Sequence, residues 1–186
     1  PQLERIADAF VAYFQGPRSQ IQMQVSVGGQ SRPLFNDREV EHMEDVQALI
    51  QWFLRMQVVC AFVAIVRIGF AVFVERRPEP LGRDLLLSAA LMVGLVVLVG
   101  VLSLLDFSSL WTQFHQIAFR NDLWQLDLSR DYLIMLFPEP FWFTATVRMA
   151  TSVALQTGLI AVVGAALLFG PRLLGSMPAR ASSGSA

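Results

Sequence analysis

The sequence contains few charges for its length and has no lysine. Only 16% of its 186 residues are charged, whereas soluble domains are nearer a quarter charged. The net charge is −1 and the arginines form no basic stripe, so the composition gives no sign of nucleic-acid binding. The single cysteine, Cys60, excludes an internal disulfide, and its position in an apolar run predicts a small buried side chain.

Several motifs that carry chemistry are also missing. The sequence has no HExxH, CxxC, G-x-S-x-G, Walker A or glycine-rich dinucleotide loop, so a serine hydrolase or nucleotide-binding enzyme is not indicated. No spacing of ligands demands a metal. The first 20 residues lack the continuous apolar segment of a signal peptide.

Long apolar runs are what the sequence has instead, with 54% of its residues hydrophobic. Three segments, 50–74, 85–105 and 147–169, are long enough to cross a bilayer. Arg55 and Arg67 lie near the two ends of the first segment, where an arginine side chain can reach the headgroups. The sequence therefore predicts an all-α polytopic membrane protein with three transmembrane helices.

Arginines near the ends of these segments predict their orientation. The loop 75–84 and the tail 170–186 contain arginines on one side of the membrane, which the positive-inside rule makes cytoplasmic. Residues 1–49 and 106–146 then form an extracytoplasmic polar and aromatic region. Aromatic side chains of the kind that settle at headgroup level lie on this side: Trp52, Phe53, Trp111, Phe114, Phe141, Trp142 and Phe143.

The first extracytoplasmic region has recognisable local patterns. Apolar positions from Leu3 to Phe14 predict an amphipathic helix, which Gly16-Pro17 ends. The alternation in 21–27 predicts a short strand followed by a turn. Asn36 and Glu39 are spaced as a capping box, so a long helix is expected to begin there.

Two polar clusters contain the two histidines of the sequence. In the first, Arg38, His42 and Asp45 share one sector of the long helix, with Glu39 close by, and carboxylates beside a histidine suit a general base. In the second, His115 lies among aromatic residues that suit an acyl chain. A salt-bridged helix start and an interfacial loop lying on lipid explain the same patterns without chemistry. If spans joined by a short loop are neighbours, both imidazoles converge at one site.

The stretches FNDREVEHMEDV (35–46) and FHQIAFRNDLWQLDLSRDYLIMLFPEPFW (114–142) resemble the lipoprotein intramolecular transacylase family, and the resemblance covers about 33–143. It implies four spans in a bacterial cytoplasmic membrane, the first of which would precede Pro1, and an active site on the extracytoplasmic side. It also implies transfer of the sn-2 acyl chain of a diacylglyceryl lipoprotein to the α-amino group of its N-terminal cysteine, giving the lyso-form. Leu128 departs from the family's proline after Asp127.

The resemblance also implies roles for particular residues. His42 and His115 are the family's two functional histidines, and the conversion of an ester to an amide needs no cofactor or metal. Membrane lipid and a diacylglyceryl lipoprotein are the expected partners. The chemistry calls for one histidine as base and the other as acid or oxyanion partner, or for one of them to carry the acyl group transiently. The candidates to stabilise the oxyanion or hold the lipoprotein backbone are Arg38, Arg120 and Asn121. The candidates to orient the imidazoles are Asp45, Glu39, Asp127 and Asp131. Side chains expected to line an acyl groove are Trp111, Phe114 and Trp124.

Two other functions fit the sequence. In the first, the chain is a non-catalytic subunit of a larger membrane complex. In the second, it binds a haem or a metal through its two histidines. Both histidines lie near the ends of apolar runs, which disfavours the haem.

Overall fold

The structure, a computed structural model, describes residues 2–16, 23–27 and 29–175. Within them the regular secondary structure is helical except for one β-hairpin, and a loop of residues 119–131 follows the helix that ends at Ala118. The elements are α1 (Gln2–Gln15), β1 (Gln24–Val27), β2 (Gln30–Pro33), α2 (Asp37–Phe70, continued by a π-helical turn Ala71–Glu75), α3 (Glu79–Ala118), α4 (Tyr132–Leu136) and α5 (Glu139–Gly175).

Three of the helices, α2, α3 and α5, are long and apolar enough to cross a membrane, with mean hydropathies of 2.3, 2.9 and 2.0 in their most apolar windows. Most large apolar side chains on these segments are exposed, as expected when lipid replaces water as their solvent. The predicted all-α polytopic membrane protein is confirmed. Cys60 is exposed rather than buried, because its side chain lies on the apolar surface of such a helix.

The long helix α3 is broken at Asp106, whose backbone is extended (φ −159°, ψ 90°). Asp106 accepts hydrogen bonds from the Ser109 backbone N–H (3.0 Å) and hydroxyl (2.6 Å), which is the pattern of a helix N-cap. The break comes directly after the predicted spanning segment 85–105, which contains no charged residue. It begins a separate helical segment, which carries Trp111 and His115.

Residues 1–61 and 102–146 form one compact unit. Its core contains Phe10 and Tyr13 of α1, Phe35 and Met43. Two glutamines of α2 hold the end of α1, because the Gln47 amide donates to the Tyr13 carbonyl (2.5 Å) and the Gln51 amide donates to the Phe14 carbonyl (3.0 Å). These bonds satisfy carbonyls that the end of a helix leaves without partners.

The hairpin in this unit pairs β1 and β2 antiparallel, with Val27 opposite Gln30. Gly29 in the turn has a φ of 81°, which glycine adopts without steric cost. The predicted strand is thus present over 24–27, whereas 21–22 and Gly28 lie outside the described residues. Strand β2 was not predicted from the sequence, because its exposed residues QSRP have no apolar alternation.

The described residues of the second unit are 62–101 and 147–175. In it the Arg67 guanidinium bonds to Asp84 (2.7 Å) and Glu75 (3.1 Å). The loop predicted over 75–84 is shorter than expected, because α3 already begins at Glu79. Pro80 does not prevent this, since proline is tolerated in the first turn of a helix.

Two glycines bring α3 and α5 close together in this unit. A Cβ atom at Gly82 would lie 2.7 Å from the Leu168 nitrogen and 2.8 Å from the Gly164 carbonyl oxygen. Close backbone approach at small residues is a common way for membrane helices to pack. The contact therefore depends on glycine at this position.

We expect Gly82→Ala to lower the stability of the protein by about 1–3 kcal/mol, because the added methyl overlaps backbone atoms. Gly94→Ala is the matched control, because nothing lies within 4 Å of a Cβ there and alanine favours a helix. Thermal unfolding in detergent would compare them. Equal melting temperatures for the two variants would show that the approach of the helices is not tight.

Candidate active site

The two histidines lie next to each other, with 6.0 Å between ring centroids and 35° between ring planes. His42 is in the second turn of α2, and His115 is in the segment that follows the break in α3. Both residues are buried, each with a relative exposure of 6%. The predicted convergence of the two imidazoles is therefore present in the structure.

His115 is held in one orientation by the backbone of its own helix. Its Nδ1 lies 2.7 Å from the Trp111 carbonyl oxygen. A carbonyl only accepts, so Nδ1 carries the hydrogen and Nε2 keeps its lone pair in the neutral ring. Burial lowers the pKa of His115, and the bond to the Trp111 carbonyl partly opposes this. Four aromatic rings surround the imidazole, with centroids within 4.5–5.6 Å: Trp111, Phe114, Phe119 and Trp124.

His42 differs from His115 in having no partner for Nδ1 among the described residues, although that atom is buried. The pKa of His42 is lowered to about 4, mainly by burial; the charges of His115 and Arg38 also lower it, and Asp45 opposes them. His42 is therefore neutral at neutral pH. An imidazole in this state has one N–H to donate and one lone pair.

A loop after α3 is attached to α2 by two polar side chains. The Arg38 guanidinium donates to the backbone carbonyls of Asp122 and Leu123. The Asn121 amide donates to Asp45 Oδ2 (2.7 Å). These bonds fix the loop that carries Trp124 against the ring of His115.

An open cleft of about 350 Å³ lies beside the histidine pair. Phe119 connects the two, because it lines the cleft and its ring centroid is 5.2 Å from that of His42 and 5.6 Å from that of His115. The cleft is lined by Asp45, Ala48, Leu49, Ala118, Phe119, Arg120 and Asn121. Charged, amide and apolar groups thus meet next to two buried imidazoles.

Comparison with known proteins identifies the family. The family model for "Lipoprotein intramolecular transacylase Lit" matches residues 1–142. The chain belongs to this family. It is also similar to an uncharacterised protein of Aquifex aeolicus (strain VF5), with 30% identity over 117 residues, which cover 62% of this chain and 50% of that protein. The chain thus spans about half the length of this relative. No solved structure matches.

Two supporting carboxylates of this Lit family member are buried away from solvent, Glu39 at 0% and Asp131 at 1% exposure. Glu39 accepts from the backbone N–H groups of Asn36 (2.8 Å) and Leu133 (2.6 Å), and Asn36 Oδ1 accepts from Glu39 N–H (3.0 Å). Asp131 accepts from the Asn36 amide (2.8 Å) and Asp127 N–H (2.7 Å). The predicted capping box is confirmed. The hydrogen bonds of both carboxylates position the backbone and do not contact the imidazoles.

Asp127 and Arg120 lie toward the surface. Asp127 accepts from the Ser129 N–H (2.8 Å) and hydroxyl (2.7 Å), and these bonds lower the pKa of its carboxyl group. They also shape the turn at Leu128, which therefore forms without the proline expected there. Arg120 is exposed and lines the cleft. Within the described part of the chain, neither residue makes a hydrogen bond to an imidazole, so neither orients one.

The proposed groove residues belong to a larger aromatic cluster. Trp111 stacks on Trp142, with 4.9 Å between centroids, and the Trp142 indole N–H donates to the Phe137 carbonyl (3.0 Å). Trp111, Phe114 and Trp124 all contact His115. Trp142 and Phe119 were not predicted from the sequence as site residues. The spacing of Phe119, one turn after His115, is the signal that could have identified it.

Glu39→Ala is expected to destabilise the protein by about 3 kcal/mol, because two backbone N–H groups lose a buried charged acceptor. Glu41→Ala is the matched control, since Glu41 is exposed in the same helical turn and its loss should change stability by less than about 0.5 kcal/mol. Denaturation in mixed detergent micelles measures both. Similar midpoints for the two variants would contradict the role given to Glu39.

The lowered pKa of His42, about 4 against 6.5, predicts a pH dependence of stability. Between these values the unfolded chain binds a proton that the folded chain does not, so stability is full above about pH 6.5 and falls as the pH approaches 4. The loss attributable to His42 is at most about 3 kcal/mol.

His42→Gln should therefore lose less stability than the wild type when the pH is lowered from about 7 to about 4. Denaturation midpoints at several pH values measure this, with Glu41→Gln as a control whose pH dependence should follow the wild type. Parallel curves for His42→Gln and the wild type would show that His42 is not buried in its neutral form.

Proposed function

We propose that this protein is an acyltransferase acting on a diacylglyceryl lipoprotein at the extracytoplasmic face of a bacterial cytoplasmic membrane. It moves an acyl chain from the glyceryl group to the α-amino group of the N-terminal cysteine and forms the lyso-form lipoprotein. The observation that carries the proposal is the pair of buried imidazoles 6.0 Å apart. Membership of the transacylase family supports it.

The reaction requires proton transfer and no oxidation or reduction. The α-ammonium group first releases one proton to solvent. The neutral amine then attacks the ester carbonyl, a C–N bond forms, and the carbonyl oxygen becomes an oxyanion. The C–O bond to glycerol then breaks, while the amine loses one proton and the glycerol oxygen gains one. A base and an acid at the reacting atoms typically accelerate such steps by about 10²–10⁴-fold each, and neither a cofactor nor a metal is needed.

The surroundings of the two imidazoles favour different roles for them. His115 has a fixed tautomer with a free Nε2 lone pair, and the Trp111 carbonyl that binds its Nδ1–H stabilises the imidazolium. We therefore assign His115 as the base that accepts the proton of the amine. His42, neutral and deeply buried, is assigned as the N–H hydrogen-bond donor that stabilises the oxyanion. The glycerol oxygen takes the proton that His115 has accepted from the amine, so His115 returns to its neutral form.

The other groups of the site suit positioning of the substrate. Arg38, considered above as an oxyanion ligand, uses its guanidinium to hold the loop at Asp122 and Leu123. Trp111 and Phe114 present partly exposed aromatic surface next to His115, which suits the acyl chain. Donor ester and acceptor amine belong to one molecule, so holding them together supplies much of the rate acceleration.

The two other functions considered above make different predictions. A structural subunit does not require two buried imidazoles, one of which has no partner for Nδ1 among the described residues. It would co-purify with stoichiometric partners. Among the described residues no group of three His, Cys, Asp or Glu side chains is arranged to hold a metal. A visible absorption spectrum and a metal analysis of the purified protein test the haem and metal hypotheses directly.

The acyl transfer is tested in a bacterium that makes diacylglyceryl lipoproteins but does not N-acylate them. The full-length gene is expressed as wild type, His42→Ala, His115→Ala and, as a control, Gln116→Ala, which changes an exposed neighbour of His115. We expect N-acylated lyso-form with the wild type and Gln116→Ala, and a loss of at least about 100-fold with either histidine variant. Substrate and product have the same mass, so fragment spectra of the N-terminal lipopeptide must locate the acyl chain.

Unchanged lipopeptide with well-expressed wild type would contradict the proposed function. Full transfer by both histidine variants would contradict the assignment of the site, even if the reaction itself occurred.

A further inference from the structure

The proposed reaction needs a group that recognises the acceptor amine, and neither imidazole provides it. An α-amino group has a pKa of about 8 and is largely an ammonium ion at neutral pH. A neutral His42 and a neutral His115 do not attract a cation electrostatically. A carboxylate close to the two histidines is the chemical group that would attract the ammonium ion.

Of the four supporting carboxylates, Asp127 is exposed and does not line the cleft. The other three differ in what they already bind. Glu39 and Asp131 are buried and accept backbone and amide N–H groups, so they have no access to a ligand. Asp45 is only partly buried and lines the cleft. Of the three, Asp45 alone is open to an incoming substrate.

The position of Asp45 places its charge beside the reacting groups. Asp45 follows His42 by three residues on α2, so the two side chains share one face of the helix. Phe119 lines the same cleft and contacts both imidazoles. A group held by Asp45 therefore lies within reach of the histidine pair.

The Asp45 carboxylate is also held in place. The Asn121 amide donates to Oδ2 at 2.7 Å, and Asn121 Oδ1 in turn accepts from Leu123 N–H (3.1 Å). Oδ1 of Asp45 has no hydrogen-bond partner among the described residues. One carboxylate oxygen is thus used for orientation and the other remains available to a ligand.

We propose that Asp45 binds the α-ammonium group of the substrate's N-terminal cysteine, and that the cleft between Asp45 and Arg120 admits the peptide that follows it. This inference rests on the proposed function. Arg120 is the cation of the cleft, and its guanidinium suits the carbonyl oxygens of the peptide backbone. The cleft therefore matches an ammonium group followed by peptide, while the acyl chains lie against the aromatic rings.

The inference is tested by binding, without turnover. The probe is a synthetic S-glyceryl-cysteinyl pentapeptide whose two chains are attached by ether bonds, which the enzyme cannot transfer, made with a free or an N-acetylated α-amine. Full-length protein in nanodiscs is titrated with each form. We expect the wild type to bind the free amine about tenfold more tightly than the acetylated form.

Asp45→Asn should bind both forms with equal affinity, because the amide cannot attract the ammonium ion but can still accept from Asn121. Glu41→Gln removes the same charge from an exposed position of α2 and should keep the tenfold preference. A melting temperature for Asp45→Asn checks the fold, and Asp45→Ser is the second variant if Asn lowers it. A preference that survives in both Asp45 variants, or is absent from the wild type, overturns the inference.

The ester-linked substrate separates this inference from the proposed function. Acyl transfer by the wild type together with an amine preference independent of Asp45 would support the function and overturn the inference. An amine preference that depends on Asp45 without any acyl transfer would support the inference as a binding site and overturn the function. If both hold, Asp45→Asn should raise KM by about tenfold, with kcat changed much less.

Discussion

The arrangement of the site depends on one buried hydrogen-bond network, formed by Asn36, Glu39 and Asp131. Two carboxylates at 0% and 1% exposure would be costly in an apolar interior if they lacked partners. Two of their bonds, from the Asn36 amide to Asp131 and from the Leu133 N–H to Glu39, tie the first turn of α2 to the segment that begins at Asp127. The other two bonds are local and brace each side of this connection. Loss of one member would leave a buried polar group without its partner, so the two segments depend on each other. His42 lies one turn further along α2 and is positioned by the same network, while Arg38 and Asn121 hold the loop that carries Trp124.

Burial of the imidazoles has a cost and a consequence for chemistry. Removing a histidine from water disfavours its charged form, which is why the pKa of His42 falls to about 4. The protein thereby loses stability in acid, but it keeps two neutral rings next to each other. Two protonated imidazoles at 6.0 Å would repel each other and could not accept a proton from an amine. The aromatic surroundings therefore favour the state that the proposed mechanism requires.

Local patterns in the sequence were sufficient to predict the spanning helices, the amphipathic helix α1 and the capping box of Asn36 and Glu39. Each of these depends on residues close together in the chain, where periodicity and spacing carry the information. The break at Asp106 was not predicted, although the Ser109 contact that stabilises it is also local. The bonds of Arg38 to Asp122 and Leu123, and of Glu39 to Leu133, join residues separated by 84 to 94 positions. No periodicity reports such contacts, so the sequence identified these side chains without revealing their partners.

The same distinction explains why the carboxylates were assigned one common role although they have different ones. In the sequence, Glu39, Asp45 and Asp131 are equivalent acids near a histidine motif. In the structure, the number of N–H groups that surround each one decides what it can do. Glu39 and Asp131 are saturated by backbone and amide donors and act on the fold, whereas Asp45 has a single described donor and faces the cleft. A carboxylate with unused acceptor capacity next to neutral bases is suited to a cationic ligand, and in the proposed reaction the substrate's amine is the group that is both cationic and required at that place.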